Sequence, residues 1–177
     1  MQHKYLLAAL TAVSFFNAPF LRAEAVLLGV GSGALITNAE LVSVQITSHT
    51  GLLGKYLNPI GLSAHAEYSI FGIRGRGFDS NDVAVIGVSP VLRYFDSRES
   101  SFLETGLGAY HFSKHMLNRD DGVGTSFEFG SFVGIGAILG HAQNVEVGYR
   151  FLHFSNAGIS SFNPGVNFNQ VRFGYRF

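Results

Sequence analysis

Alternation with period two runs through this chain from residue 24 onward, and it limits the fold more than any other feature. Val42, Val44 and Ile46 alternate with Ser43, Gln45 and Thr47. Leu62, Ala64, Ala66, Tyr68 and Ile70 alternate with Ser63, His65, Glu67 and Ser69. The same pattern recurs over Phe127–Leu139, Val145–Phe151 and Val171–Phe177, and in weaker form over Val26–Gly33, Val83–Phe95 and Phe102–Phe112. Successive strand residues point to opposite faces, so this rhythm marks half-buried strands. It predicts eight of them, and no segment carries helical periodicity.

Composition decides where the apolar face points. The 177 residues are 47% hydrophobic but only 14% charged, with zero net charge. Soluble domains carry about 25% charged residues. The balance excludes a basic nucleic-acid binder and an acidic disordered tail. No apolar run after the N-terminus is long enough for a spanning helix. At the N-terminus, Met1–Lys4 is basic, Tyr5–Phe20 is mostly apolar, and Leu21-Arg22-Ala23 ends on a small residue. That is the layout of a cleaved signal peptide, residues 1–23, ahead of a single domain over 24–177. The absence of cysteine leaves no disulfide framework and no thiolate metal site. The scattered histidines have no metal-ligand spacing, so no cofactor is expected.

An exported, charge-poor, glycine-rich all-β chain fits a transmembrane β-barrel, in which apolar residues face lipid and small or polar ones face inward. The inward set holds Glu67, Glu104, Glu128, Glu146, Arg150, Arg172 and Arg176. Inside a narrow barrel these charges must pair, because an isolated buried charge is very costly. A soluble β-sandwich is the competing fold. The expectation is an eight-stranded antiparallel barrel with both termini on the periplasmic side. Its periplasmic turns then fall near Gly51–Pro59, Asp96–Ser100 and Gly140–Gln143, and its extracellular loops near Leu35–Ala39, Ile73–Asp82, Ser113–Val123 and Asn156–Val166. Gly51–Pro59 is long for a periplasmic turn.

The candidate chemistry lies in the last hairpin. His153 and Ser155 share the parity of Val145, Val147, Tyr149 and Phe151, so both should project toward lipid near the extracellular rim. Asn167 shares the parity of Val171 and Phe173. If Gln143 pairs with Phe177, the register sets His153 opposite Asn167. Polar groups facing lipid are expensive and mark function by default. Serine beside histidine is the minimum for an activated oxygen nucleophile. Asn156 and the backbone amides near Gly158 could act as oxyanion donors. From spacing alone, a rim histidine and a turn serine at headgroup level is the competing reading. Arg74, Arg76, Lys114 and Arg119, expected on the longest extracellular loops, could meet lipid phosphates, or could be ordinary solvated charges.

The stretch His153-Phe154-Ser155-Asn156-Ala157-Gly158 closely resembles the motif of the lipid A 3-O-deacylase family, eight-stranded outer-membrane barrels related to acyloxyacyl hydrolases. Val88–Phe95 and Phe102–Gly108 resemble the family's central strands, and the chain ends on an aromatic residue, Phe177, as such barrels do. The resemblance implies Ser155 as nucleophile, His153 as general base, and Asn163 with Gly158 at the oxyanion hole, acting without a metal. It implies hydrolysis of the ester that holds a 3-hydroxyacyl chain at position 3 of lipid A. The partners are then lipopolysaccharide in the outer leaflet and the surrounding outer-membrane lipids, with a homodimer as the protein assembly to consider. One position departs from the pattern: Asn167 stands where the family has a glutamate to orient the histidine. No acid follows Glu146, and Glu128 has interior parity. The competing functions are a non-catalytic barrel, structural or adhesive, and another outer-membrane lipid acyl hydrolase or acyltransferase.

Overall fold

The computed structural model describes residues 23–51 and 54–177, so the expected signal peptide lies outside the described residues except for Ala23. Eight strands follow in order: β1 (Ala25–Gly33), β2 (Ala39–His49), β3 (Leu62–Gly75), β4 (Asp82–Phe95), β5 (Ser101–Phe112), β6 (Phe127–Leu139), β7 (Val145–Ser155) and β8 (Val166–Arg176). Each pairs antiparallel with the next, and β8 returns to β1 to close the barrel. Closure leaves no sheet edge unpaired, as a lipid-embedded sheet requires. The alternation resolves as expected on the outside. Leu28, Val30, Ile86, Leu103, Val133 and Phe173 all stand more than half exposed on the outer wall.

The interior has two storeys. Toward the end where β1 starts and β8 finishes, Arg93, Arg150 and Arg172 interlock with Glu67, Glu104 and Glu146, all without solvent exposure at the side chain in the pairs they form. Arg150 holds Glu67 through two parallel bonds of 2.7 Å and reaches Glu104 at 2.6 Å. Arg93 grips Glu146 at 2.6 and 3.0 Å, and Arg172 bonds both Glu67 and Glu104. Three cations meet three anions, so the buried cluster is neutral as a unit. Bidentate geometry and matched charge are what make such burial tolerable. Phe132 and Phe102 add ring faces at 3.7 Å and 4.3 Å from the Arg150 and Arg93 guanidinium carbons.

The other storey is apolar, which corrects the expectation of a polar and glycine-lined interior throughout. Phe71, Phe112, Phe154, Phe168 and Leu152 fill it completely buried or nearly so. A barrel of eight strands must fill its lumen with side chains. Where no Arg–Glu pairs remain, aromatic rings do this, packed edge to face about Phe154. Tyr110 joins them because Gly87 and Gly130 flank its ring. A Cβ on either glycine would come within 2.0 and 2.3 Å of ring carbons.

The connections differ from expectation in two places. Between β2 and β3 the chain forms a one-turn helix α1 (Gly54–Leu57) and a 3-10 turn (Asn58–Ile60), where no helix was expected. Pro59 sits in the first turn, and Gly61, at φ 74°, closes it by donating its N–H to Asn58. These two short turns take up much of the long connection between β2 and β3. At the opposite end β3 and β4 extend further than expected, so their loop shrinks to 76–81 and Arg74 lies on a strand, paired with Asp82 across the sheet. The longer loops there are 113–126 and 156–165. Beneath the barrel, Glu24 accepts from His65 at 2.9 Å and from Arg176 at 2.5 Å, tying the start of β1 to β3 and β8.

Candidate active site

The register of β7 with β8 is the expected one: Val145 pairs with Tyr175 and His153 with Asn167. Leu152 and Phe154 turn inward, which drives His153 and Ser155 onto the outer wall. His153 Nδ1 lies 2.9 Å from Asn167 Oδ1. The carbonyl oxygen can only accept, so Nδ1 carries the proton and Nε2 is left with a free lone pair. That is the tautomer a general base requires. Ser155 and His153 are neighbours on one face, with no hydrogen bond between them among the described residues. Hydrogen bonds of this kind commonly tighten only once substrate is bound.

The surroundings hold this pair in place. Asn167 is only 9% exposed. Its N–H donates to Thr37 Oγ at 2.9 Å, and its carbonyl accepts from Ala34 at 2.9 Å. The loop after β1 therefore buttresses a residue some 130 positions away, a role for Thr37 that no local sequence signal announces. Gly165, at φ 67°, passes close over the site. A Cβ there would stand 3.0 Å from His153 Cε1 and 3.6 Å from Ser155 Cβ.

The oxyanion candidates separate by what already occupies them. Asn156 is fully buried. Its N–H donates to Asn163 Oδ1 at 3.0 Å, its Nδ2 to the Phe162 carbonyl at 3.1 Å, and its Oδ1 accepts from Gly158 at 3.0 Å. Asn156 and the Gly158 amide thus brace the 156–165 loop and are not free to meet an oxyanion. Asn163 is different. Its Oδ1 is fixed as the acceptor, so its Nδ2 hydrogens point elsewhere and have no partner among the described residues.

The basic residues do not converge on the site. Arg74 pairs with Asp82 at 2.8 Å and Arg76 with Glu40, both exposed. Lys114 donates to Asn81 Oδ1 at 3.1 Å. The Arg119 side chain forms no ion pair among the described residues. Glu128 is buried and accepts from Thr125, so it does not supply the missing acid.

A groove of about 350 Å³ opens beside the pair, lined by Leu107, Phe129, Ser131, His153, Ser155 and Ala157. Leu107, Phe129 and Ala157 make it apolar, and Ser131, His153 and Ser155 are its polar residues. A larger groove of about 560 Å³ crosses the outer wall from β2 to β6 and is lined chiefly by aliphatic and aromatic residues.

The family model of the lipid A 3-O-deacylase (PagL) matches residues 42–176. The lipid A deacylase PagL of Bordetella bronchiseptica is 36% identical over 88 residues, which is 50% of this chain and 47% of that protein. The lipid A deacylase PagL of Pseudomonas aeruginosa is 34% identical over 83 residues, 46% of each. The matched segments span about half the length of these curated relatives. The crystal structure of the outer membrane enzyme PagL superposes with a TM-score of 0.69 at 20% identity, covering 86% of this chain and 99% of that one, so the two share a fold. On the match of its β2–β8 region to the family model, this chain belongs to the lipid A 3-O-deacylase (PagL) family.

Proposed function

We propose that this outer-membrane barrel is a serine esterase that removes the 3-hydroxyacyl chain from position 3 of lipid A in the outer leaflet. One observation carries the reading: His153, its Nδ1 2.9 Å from Asn167 Oδ1, stands beside Ser155 on the outer wall and next to an apolar groove. A soluble substrate would have no reason to meet a catalytic pair turned into the hydrocarbon.

In this reading Ser155 Oγ attacks the ester carbonyl while its proton passes to His153 Nε2. The carbonyl oxygen, now an anion, is met by the Asn163 amide hydrogens. Collapse expels the sugar 3-oxygen, which takes the proton from Nε2. Water then attacks the acyl-serine, again giving its proton to His153, and the free hydroxy fatty acid leaves as Ser155 recovers its hydrogen. Asn167 positions the ring without touching the reacting atoms. Of the four basic residues expected near the site, Lys114 and Arg119 form no ion pair among the described residues and are assigned to the lipid A phosphates; Arg74 and Arg76 are already matched by Asp82 and Glu40. One chain contains the whole site, so the activity needs no homodimer.

The test is release of free 3-hydroxy fatty acid from lipopolysaccharide by the purified, folded barrel. Release by the wild type, abolished by Ser155→Ala and by His153→Ala, is expected. A folded wild type that releases nothing refutes the reading and favours the non-catalytic alternative. Release of a different product from defined lipids assigns the site to another lipid acyl enzyme.

A further inference from the structure

Four strands place one row of side chains at the level of the imidazole. Leu107 pairs with Ser131, Ser131 with His153, and His153 with Asn167. Along β6 the outward positions are Phe127, Phe129, Ser131, Val133, Ile135, Ala137 and Leu139. Ser131 is the single polar residue among them. It lies in the groove beside His153 and Ser155, and its hydroxyl has no hydrogen-bond partner among the described residues.

An unpartnered hydroxyl facing hydrocarbon is unfavourable, and the loss is recovered when a polar group of the ligand meets it. Cross-strand neighbours hold their Cβ atoms about 5 Å apart, and diagonal neighbours about 7–8 Å. Ser131 is the direct neighbour of His153 and the diagonal neighbour of Ser155. An acyl chain with its carbonyl at Ser155, laid toward Leu107 and Phe129, passes Ser131 with its first few carbons. In a 3-hydroxyacyl ester the hydroxyl sits two carbons from the carbonyl, on that part of the chain.

We propose that Ser131 Oγ hydrogen-bonds the 3-hydroxyl of the acyl chain being removed, and so selects 3-hydroxyacyl esters over plain acyl esters. This rests on the esterase reading above, to which it adds a specificity-determining residue on β6. A neutral hydrogen bond in a partly open groove corresponds to a preference of about tenfold.

The experiment compares two lipid esters of equal chain length, one with and one without the 3-hydroxyl, as kcat/KM ratios for the wild type, Ser131→Ala and Ser131→Thr. Folding is checked by the heat-dependent gel shift of barrel proteins. The wild type is expected to favour the hydroxylated ester about tenfold. Ser131→Ala should bring the ratio close to one by slowing that ester alone, and Ser131→Thr, which keeps a hydroxyl, should hold the preference. An active Ser131→Ala enzyme with an unchanged ratio overturns the proposal, as does a wild type that cleaves both esters equally. A wild type that cleaves neither overturns the esterase reading, and this proposal with it.

Discussion

Replacing Asn167 by aspartate changes one atom and tests the least expected feature of the site. The carboxylate has the reach of the amide, so one oxygen can stay 2.9 Å from His153 Nδ1. What it adds is charge opposite the imidazolium that forms when Nε2 takes the serine proton. A neutral hydrogen bond contributes about 0.5–1.5 kcal/mol and one to a charged group about 1.5–3. The difference, about 1–1.5 kcal/mol, is a rate gain of about five- to tenfold. Coulomb attraction alone, at an effective dielectric of about 20 and 4 Å, would give about 4 kcal/mol. The near-complete burial of Asn167 opposes this, because the new carboxylate must itself be desolvated. Asn167→Asp should therefore raise kcat by about five- to tenfold with KM little changed, and Asn167→Glu, which places there the acid that the family resemblance implies, should act in the same direction. Asn167→Ala leaves Nδ1–H without its acceptor, a loss of about 1–3 kcal/mol or about 5- to 150-fold in kcat. Initial rates of fatty-acid release measure both. An Asn167→Ala variant as fast as the wild type would show that the residue does not orient the ring. A folded but inactive Asn167→Asp would show that the amide hydrogens, not the carbonyl oxygen, are what the site uses.

Other substitutions probe the supports of the site. Gly165→Ala forces a side chain into a left-handed conformation 3.0 Å from His153 Cε1, and should lower kcat at least about tenfold while the barrel still folds. Asn156→Ala removes the brace of the 156–165 loop; proteolysis of that loop should quicken and activity fall, for a loss of about 1–3 kcal/mol. Glu104→Gln leaves the buried cluster with one cation too many, and should destabilise the barrel by about 3–5 kcal/mol in urea unfolding from lipid vesicles. Burial pushes the Glu24 carboxyl up, but the His65 and Arg176 contacts outweigh it and hold the group at about 2, below its usual 4.5. A lowered folded-state value stabilises the protein above the unfolded value. That contribution should be lost as the pH falls from about 4.5 toward 2, and Glu24→Gln should flatten this part of the stability profile.

Much of this arrangement is written in strand parity. The opposition of His153 and Asn167 follows from counting back two residues at a time from Val145 and Tyr175, because β7 and β8 pair without a bulge. The pairing of interior Glu and Arg follows from the cost of leaving them apart. Parity falls short where both faces are apolar. Nothing in Leu152 and Phe154 marks them as lumen-filling while Phe151 faces out, and the aromatic storey is visible only once the barrel closes. Arg93 is missing from the interior set named from sequence, because its β4 neighbours at the same parity, Val83, Val85 and Val91, are apolar and parity alone does not mark their face as inward. The loops hide more. Asn156 has the chemistry of an oxyanion donor, yet it is consumed by three bonds within its own loop, and Thr37 reaches Asn167 through a contact that only tertiary structure creates. Ser131 did leave a signal: one hydroxyl in an otherwise apolar outward series.

The central claim, a Ser155 nucleophile acting on lipid A from the outer wall, is tested most directly by the lipid A mass spectrum of cells that carry or lack the protein. Expression of the wild type should shift lipid A by the mass of one ester-linked hydroxyacyl chain. Ser155→Ala, present at the same level as a folded barrel, should leave it unshifted. Unchanged lipid A in both, or the same loss in both, would contradict the account.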